Sequence, residues 1–147
     1  MKLLETKIII QAPVAAVWQI LLDFEKYPEW NPFIINIKGK AAVGSQLENT
    51  ISIKGNAPQT FTPKVLVMKP QQEFRWLGKL YLKGVFDGEH YFKLLPLSDS
   101  KTKLIHGEQF TGILVKILMS MIGSATEKGF VQMNEALKKR VESTIQP

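Results

Sequence analysis

The sequence predicts an α+β fold in which a curved antiparallel sheet wraps around a long C-terminal helix. Short segments rich in β-branched and aromatic residues follow one another between residues 33 and 110, separated by turns that contain glycine or proline. Apolar residues then recur at helical spacing from about Leu114 to Glu142. Short connections favour antiparallel neighbours, and the long helix is the element able to cover the apolar face of such a sheet.

A first strand and short helices are expected before this sheet. Leu3 to Gln11 is rich in isoleucine and is predicted to be a strand. Pro13 suits the first turn of a helix, and apolar residues after it keep helical spacing to about Asp23. Two further prolines, Pro28 and Pro32, limit the next segment to a short turn of helix and a loop.

Six more strands are expected, which with the first make a seven-stranded sheet. They are Phe33–Lys38, Ser45–Lys54, Gln59–Met68, Glu73–Leu80, Gly84–Leu95 and Lys101–Phe110. Pro63 falls inside one of them, which indicates an edge position or a bulge. In the long helix, Gly123 and Gly129 indicate a bend or a close approach of another element.

Length and composition are those of one ordinary globular domain, which we expect to span residues 1–147. Hydrophobic residues make up 45% of the chain and charged residues 22%, so folding is expected rather than disorder. The chain has no cysteine, which excludes disulfides and thiolate metal sites. This composition fits a reducing compartment, and we expect a cytoplasmic protein.

The net charge of +6 does not by itself indicate nucleic-acid binding. Lysines are scattered, and the one tight basic run, 138–140, lies near the end of the predicted helix, where cations complement the helix dipole. The longest apolar stretch, Gly112 to Gly123, is too short to span a bilayer and is interrupted by Lys116. We therefore expect no nucleic-acid partner and no transmembrane segment.

Hairpin parity predicts which side chains face the interior, because side chains alternate across a strand. A hairpin centred near residues 97–99 places His90 opposite His106 and Gly88 opposite Glu108. The face shared by these strands and the preceding one carries Phe74, Trp76, Phe86, His90, Phe92, Leu94, Leu104, His106, Glu108 and Phe110. The opposite face is largely charged, so this face is expected to be the inner one.

A second hairpin, at Gly55-Asn56, adds more residues to the interior. It groups Leu47, Asn49, Ile51 and Ile53 with Phe61, Val65 and Val67. The interior is therefore apolar apart from a few groups such as Asn49, His90 and Glu108. Buried polar groups are costly unless paired. Two interpretations stay open: the polar groups pair with one another in a filled core, or they face a ligand in a pocket.

Several stretches resemble the SRPBCC, or START-like (Bet v 1-like), superfamily. Trp18 and the segment 23–33 resemble its early part. The segments 86–92 and 106–112 are similar to its polyketide cyclase/dehydrase-type members, and 129–138 is similar to their final helix. The resemblance covers nearly the whole chain. It implies the helix-grip fold with an elongated cavity between sheet and helix, and it carries over no catalytic signature.

We expect this cavity to measure a few hundred cubic ångströms. Its expected lining residues are Trp30, Asn49, Phe61, Trp76, Phe86, His90, Phe92, His106, Glu108, Phe110, Ile122 and Phe130. Trp30 and Asn31 lie in the double-proline loop, at the expected mouth. Trp30 either caps the ligand or anchors the loop on the core.

His90, His106 and Glu108 are the candidate catalytic residues. A carboxyl group in an apolar pocket with a histidine beside it suits general acid–base chemistry. The alternative is that a Glu–His hydrogen bond simply holds two strands together. These three groups would bind a metal only if they converged on one point, and we expect neither a metal nor another cofactor.

Three functions are compatible with these patterns. The first is binding of a hydrophobic small molecule, lipid- or polyketide-like. The second is an enzyme with cyclase/dehydratase-type chemistry on such a molecule, and the third is a module that docks a protein or membrane. Residues 113–122 are apolar around nearly the whole helix. This predicts cover from the short helices, a homodimer contact or a mobile lid.

Overall fold

The structure is a computed structural model that describes residues 1–80 and 82–145. Its strands are β1 (Lys2–Ile10), β2 (Ile34–Lys38), β3 (Glu48–Ile51), β4 (Gln59–Phe61), β5 (Lys64–Lys69), β6 (Glu73–Leu80), β7 (Phe86–Ser98) and β8 (Lys101–Thr111). Its α-helices are α1 (Val14–Leu22), α2 (Tyr27–Trp30) and α3 (Val115–Ile145), with a 3-10 turn at Phe24–Lys26.

The strands form two antiparallel sheets. One has five strands in the order β1-β8-β7-β6-β5, and the other has three in the order β2-β3-β4. Backbone hydrogen bonds from Gly44 to Val65 and from Leu47 to Pro63 link the two sheets. Helix α3 packs on β1 and β8 and also contacts α1. The predicted α+β architecture, a curved antiparallel sheet around a long C-terminal helix, is confirmed.

The described residues contain one strand more than expected because the segment Gln59–Met68 is divided. β4 ends at Phe61 and β5 begins at Lys64, with Pro63 between them. Proline has no N–H to give to a ladder, and here its carbonyl accepts a hydrogen bond from Leu47 instead. The proline therefore marks the point where the chain passes from one sheet to the other.

The pairing of β7 with β8 differs from the expected pairing by two residues. His90 lies opposite Glu108, and Phe92 lies opposite His106. The reason is the turn, which lies beyond Ser98, and an irregularity between Pro96 and Ser98. A shift of two residues keeps every side chain on its face, so the predicted inner face is correct although the partners are not.

A bulge in β5 overturns one inner-face prediction. Val65 lies opposite Trp76, but the register shifts between Val65 and Val67. Val67 then pairs with Arg75 on the outer face, and Met68 takes the inward position opposite Phe74. An extra residue in one strand moves the side chains that follow it to the opposite face of the sheet. The sequence pattern does not reveal this bulge.

Helix α3 approaches Phe33, the residue before β2, closely at Gly129, as predicted for one of its two central glycines. A Cβ atom at Gly129 would lie 2.4 Å from the ring of Phe33. That ring packs edge-on against Phe130, with ring centroids 5.4 Å apart. At Gly123 an added Cβ would meet only the end of Met119, at 3.4 Å. Gly129 therefore allows the helix to pack closely on Phe33.

The start of α3 presents apolar side chains to solvent. Ile113, Ile117 and Met121 are 80%, 61% and 74% exposed. The expected cover from the short helices is absent for these three described side chains. An ion pair between Glu29 and Arg140, at 2.9 Å, instead places α2 near the other end of α3. No helix within the described residues is long and apolar enough to cross a membrane.

Candidate functional site

A mainly apolar cavity lies between α3 and the inner faces of both sheets. It is partly open and has a volume of about 120 Å³, which is smaller than expected. It is lined by Phe33, Asn49, Ile51, Ile53, Phe61, Pro63, Trp76, Gly78, Lys79, Leu80, Phe86, Gly88, His90, Glu108, Phe110, Ile122 and Thr126. A cavity of about 150 Å³ holds benzene, so this space has the size of roughly one ring.

Some residues expected in the cavity wall lie deeper in the core. Phe92, His106 and Phe130 do not line the cavity. Their rings pack on one another, with the His106 ring 4.4 Å from Phe92 and 4.3 Å from Phe130 between centroids. All three side chains are fully buried. This aromatic group fills the interior beyond His90, which explains why the cavity is smaller than expected.

The double-proline loop is anchored on the core and does not line the cavity. Trp30 packs edge-on against Tyr27, with ring centroids 5.1 Å apart. The side-chain oxygen of Asn31 accepts hydrogen bonds from the backbone N–H groups of Phe33 and Ile34, at 3.0 and 2.9 Å. The packing of Trp30 therefore agrees with the interpretation that it anchors the loop on the core. The hydrogen bonds of Asn31 hold the backbone at the start of β2.

Several lining residues were not predicted. Gly78 and Gly88 lie opposite each other on β6 and β7. Parity with Trp76 and His90 puts both glycines on the inner face, but glycine has no side chain, so hydrophobic alternation did not mark them as lining residues. Thr126 lies four residues after Ile122 on α3, and this spacing puts both residues on one helix face. That signal was available in the sequence and would have identified Thr126.

A chain of hydrogen bonds leads from the cavity wall into the core. Glu108 Oε2 lies 3.2 Å from His90 Nδ1, and His90 Nε2 lies 2.7 Å from His106 Nε2. The other ring nitrogen of His106, Nδ1, lies 2.8 Å from Asn134 Oδ1. Asn134 Nδ2 donates to Thr6 Oγ1 at 2.8 Å. Strands β7, β8 and β1 and helix α3 thus meet in one polar network.

Thr6, at the far end of this network, determines which of its atoms donate hydrogen bonds and which accept them. Thr6 donates its single hydroxyl hydrogen to the backbone carbonyl of His106, at 3.0 Å. Thr6 Oγ1 must therefore accept from Asn134, so the amide nitrogen faces Thr6 and the amide oxygen faces His106. His106 Nδ1 consequently carries a hydrogen and donates it to Asn134.

His106 is neutral in this arrangement. Burial lowers its pKa well below 6.5, and the charge of nearby His90 lowers that pKa further, although the hydrogen bond with Asn134 opposes the shift. With a hydrogen on Nδ1, a neutral His106 has only a lone pair on Nε2. His90 Nε2 must then be the donor across the 2.7 Å contact.

One proton is left for His90 and Glu108 to share. With Nε2 of His90 already a donor, its Nδ1 either carries a second proton facing a carboxylate or accepts a proton from a neutral carboxyl group. Both forms make the 3.2 Å hydrogen bond. The His90 side chain is 4% exposed and that of Glu108 is 17% exposed, so the pair lies at the boundary between core and cavity.

The geometry of the two histidines suits a hydrogen bond better than a shared metal ligand set. Nitrogen ligands of one tetrahedral zinc ion, each about 2.0–2.1 Å from it, would lie about 3.3 Å apart. The two Nε2 atoms are 2.7 Å apart. Within the described part of the chain, no group of three or more His, Asp or Glu side chains is placed to hold a metal ion.

Two cavity-lining side chains, Asn49 and Glu108, each have an oxygen without a hydrogen-bond partner among the described residues. Asn49 is 2% exposed, and its side-chain oxygen is buried and unpaired. Glu108 uses Oε2 for His90 and leaves Oε1 free of such contacts. Oε1 lies over Gly88, where an added Cβ would be 2.2 Å from it. Gly88 thus provides the space in which the Glu108 carboxyl group sits.

Structural comparison shows the same fold in several solved proteins. ZhuI aromatase/cyclase from Streptomyces sp. R1128 superposes with a TM-score of 0.81 at 15% identity, over 99% of this chain and 96% of that one. A norcoclaurine synthase from Thalictrum flavum gives 0.76 at 15% identity, over 99% and 96% of the chains. A START superfamily protein from Mycobacterium smegmatis gives 0.73 at 22% identity, over 97% and 98%.

These identities are low, so the superpositions establish the fold alone. No curated protein matches the sequence. The family described as polyketide cyclase/dehydrase and lipid transport matches residues 1–142, nearly the whole chain. This agrees with the predicted START-like resemblance. The chain therefore belongs to the polyketide cyclase/dehydrase and lipid transport family.

Proposed function

We propose that the protein binds a hydrophobic small molecule, lipid- or polyketide-like, in the cavity between the sheets and α3. The cavity itself, whose mainly apolar wall includes the carboxyl group of Glu108, is the observation that carries this proposal. A ligand with an apolar body and a polar group supplies both contacts that this wall offers.

The start of α3 is proposed as the movable cover of this cavity. Ile122 lines the cavity, while Ile117 and Met121, in the preceding turn, are exposed. The segment is attached to the β6–β7 loop by backbone hydrogen bonds from Ile113 to Gly84 and from Leu114 to Val85, each 3.0 Å. Movement of this cover would let a ligand larger than one ring enter. A homodimer contact through the same exposed residues is the competing explanation.

Native mass spectrometry of the purified protein tests the binding proposal. We expect a bound hydrophobic molecule, or binding from a panel of small aromatic and aliphatic compounds. Thr126→Phe places a ring in the cavity and should abolish binding, because Thr126 lines it. Ser124→Phe is the matched control, since Ser124 is exposed on the same helix. Failure of every compound to bind the wild-type protein would contradict the proposal.

A second candidate function is acid–base catalysis on the bound molecule. The Glu108–His90 pair favours it, because a carboxyl group that shares one proton with a histidine stands at the cavity wall. Two structural neighbours described as an aromatase/cyclase and a synthase add support. For an enzyme, Glu108→Gln should remove turnover and leave ligand binding intact. Equal turnover in both proteins would reject a catalytic role for Glu108.

A further inference from the structure

We infer that the ligand carries a hydroxyl group, which donates a hydrogen bond to Oε1 of Glu108. This inference rests on the proposed function and deepens it, because it names the chemical class of the ligand. The ligand is an apolar alcohol or phenol, as opposed to a hydrocarbon, an ether or a ketone. Two features of the molecule lead to it: the position of Oε1 at the cavity, and the donors and acceptors in the hydrogen-bond network behind it.

On the cavity side of the network, Glu108 Oε1 has no hydrogen-bond partner among the described residues. The other carboxyl oxygen is engaged with His90 at 3.2 Å. Both Glu108 and Gly88, over which Oε1 lies, line the cavity. Oε1 has no partner among the described residues and is not fully buried, so solvent or a ligand can reach it. A molecule in the cavity can therefore contact Oε1.

The proton order makes Oε1 an acceptor in each form of the pair that satisfies the network. If His90 is charged, Glu108 is a carboxylate and Oε1 has no hydrogen. If both are neutral, the acid hydrogen lies on Oε2, where it bonds to His90 Nδ1, and Oε1 is a carbonyl oxygen. Loss of the shared proton leaves Oε1 an acceptor as well. The ligand group that faces it must therefore be a donor.

A hydroxyl group meets this demand best. An ammonium group would bring two or three N–H groups into a wall made mostly of rings and aliphatic side chains, where few acceptors are available. A hydroxyl group has one hydrogen to donate, and the rest of the molecule that carries it can be apolar. The Trp76 indole, which stacks on the His90 ring at 4.8 Å, also lines the cavity and adds apolar surface beside Glu108.

Three probes of similar shape test the inference by calorimetric titration at neutral pH: p-cresol, p-xylene and 4-methylanisole. All three carry one ring, which suits a cavity of about 120 Å³. p-Cresol donates a hydrogen bond, 4-methylanisole only accepts one, and p-xylene does neither. We expect p-cresol to bind about tenfold more tightly than p-xylene, and 4-methylanisole to bind no better than p-xylene.

Two variants of Glu108 locate the source of this preference. In Glu108→Gln the amide nitrogen can donate to His90 Nδ1 while the amide oxygen keeps the acceptor in the cavity, so the preference for p-cresol should persist. Glu108→Leu removes the acceptor and should bring the p-cresol and p-xylene affinities to within about twofold. The comparison of probes on the wild-type protein needs no variant, so it stays decisive if Glu108→Leu does not fold.

The outcomes separate this inference from the proposed function. If p-xylene binds and p-cresol binds no better, the hydroxyl inference fails while the binding function stands. A gain for 4-methylanisole equal to that for p-cresol would show that the wall donates, which also overturns the inference. So would a p-cresol preference that survives Glu108→Leu. Absence of binding by all three probes would contradict the proposed function and this inference together.

Discussion

The Nε2 atoms of His90 and His106 lie 2.7 Å apart, so two buried histidine rings share one hydrogen between them. Because His106 donates from its other nitrogen to Asn134, the shared hydrogen belongs to His90. The contact couples the boundary of the cavity to a fully buried side chain. A second proton on His106 would therefore leave the Nε2–H groups of His90 and His106 facing each other.

The first prediction concerns pH. The pKa of His106 is lowered by burial and by His90, so the unfolded chain binds this proton more readily than the folded one. The contribution of His106 to stability is complete above about pH 6.5 and is lost as the pH falls below that value. The free energy of unfolding should decrease by up to about 1.4 kcal/mol per pH unit in that range.

Nitrogen-15 NMR of the imidazole rings checks this directly. We expect His106 to remain neutral, with its hydrogen on Nδ1, at acidic pH values where an ordinary histidine is already charged. The acid-dependent part of the unfolding free energy should shrink in His106→Gln. A His106 ring that titrates near pH 6.5 would show that the proposed proton order is wrong.

The second prediction concerns the two glycines that face each other on β6 and β7. Gly88→Ala places a Cβ 2.2 Å from Glu108 Oε1, so the carboxyl group must move and lose its bond to His90. We expect a loss of about 1–2 kcal/mol in the free energy of unfolding and a changed NMR signal of the His90 ring.

Gly78→Ala is the matched control for that change. Its Cβ would contact Pro63 at an ordinary 3.7 Å, so stability should change by less than about 0.5 kcal/mol and the His90 signal should stay in place. Equal effects of the two substitutions would mean that Gly88 has no special relation to Glu108.

The third prediction uses the two central glycines of α3. Alanine is favoured over glycine in a helix by about 1 kcal/mol, and Gly123→Ala meets only Met119 at 3.4 Å, so this variant should be more stable. Gly129→Ala would drive a Cβ to 2.4 Å from Phe33 and should cost about 1–3 kcal/mol despite the same propensity gain. Chemical denaturation measures both. A Gly129→Ala protein as stable as Gly123→Ala would contradict the close packing of α3 on Phe33.

The fourth prediction concerns the start of α3 as a cover. Amides from Leu114 to Met121 should exchange with solvent faster than those from Met133 to Val141 in a dilute monomer, because the first segment has exposed apolar side chains and the second packs in the core. A bound ligand should slow exchange in the first segment only. Equal protection of the two segments, unchanged by ligand, would reject the cover, and slowing that depends on protein concentration would favour a dimer.

Much of the fold was accessible from the sequence because it depends on repeating patterns. The inner faces of β7 and β8 were predicted correctly although the pairing was shifted by two residues, since facing depends only on parity. Parity fails where the chain departs from regular geometry. The bulge after Val65 moved Val67 outward, and no side-chain pattern announced it.

The candidate site was accessible only in part. Sequence patterns placed His90, His106 and Glu108 on one face, and the structure joins His90 to each of the others. The partners that fix the proton order, Asn134 and Thr6, lie on distant elements, and their roles depend on three-dimensional distances alone. Cavity size was overestimated because periodicity shows which residues face inward but not how far their rings fill the space.

The most direct test of a ligand-binding cavity is methyl NMR of the protein titrated with p-xylene. We expect chemical-shift changes and intermolecular nuclear Overhauser effects at Ile51 and Ile122, which line the cavity, and none at the buried Ile10, which does not. Contacts confined to the exposed Ile113 and Ile117, or no change at saturating p-xylene, would contradict it.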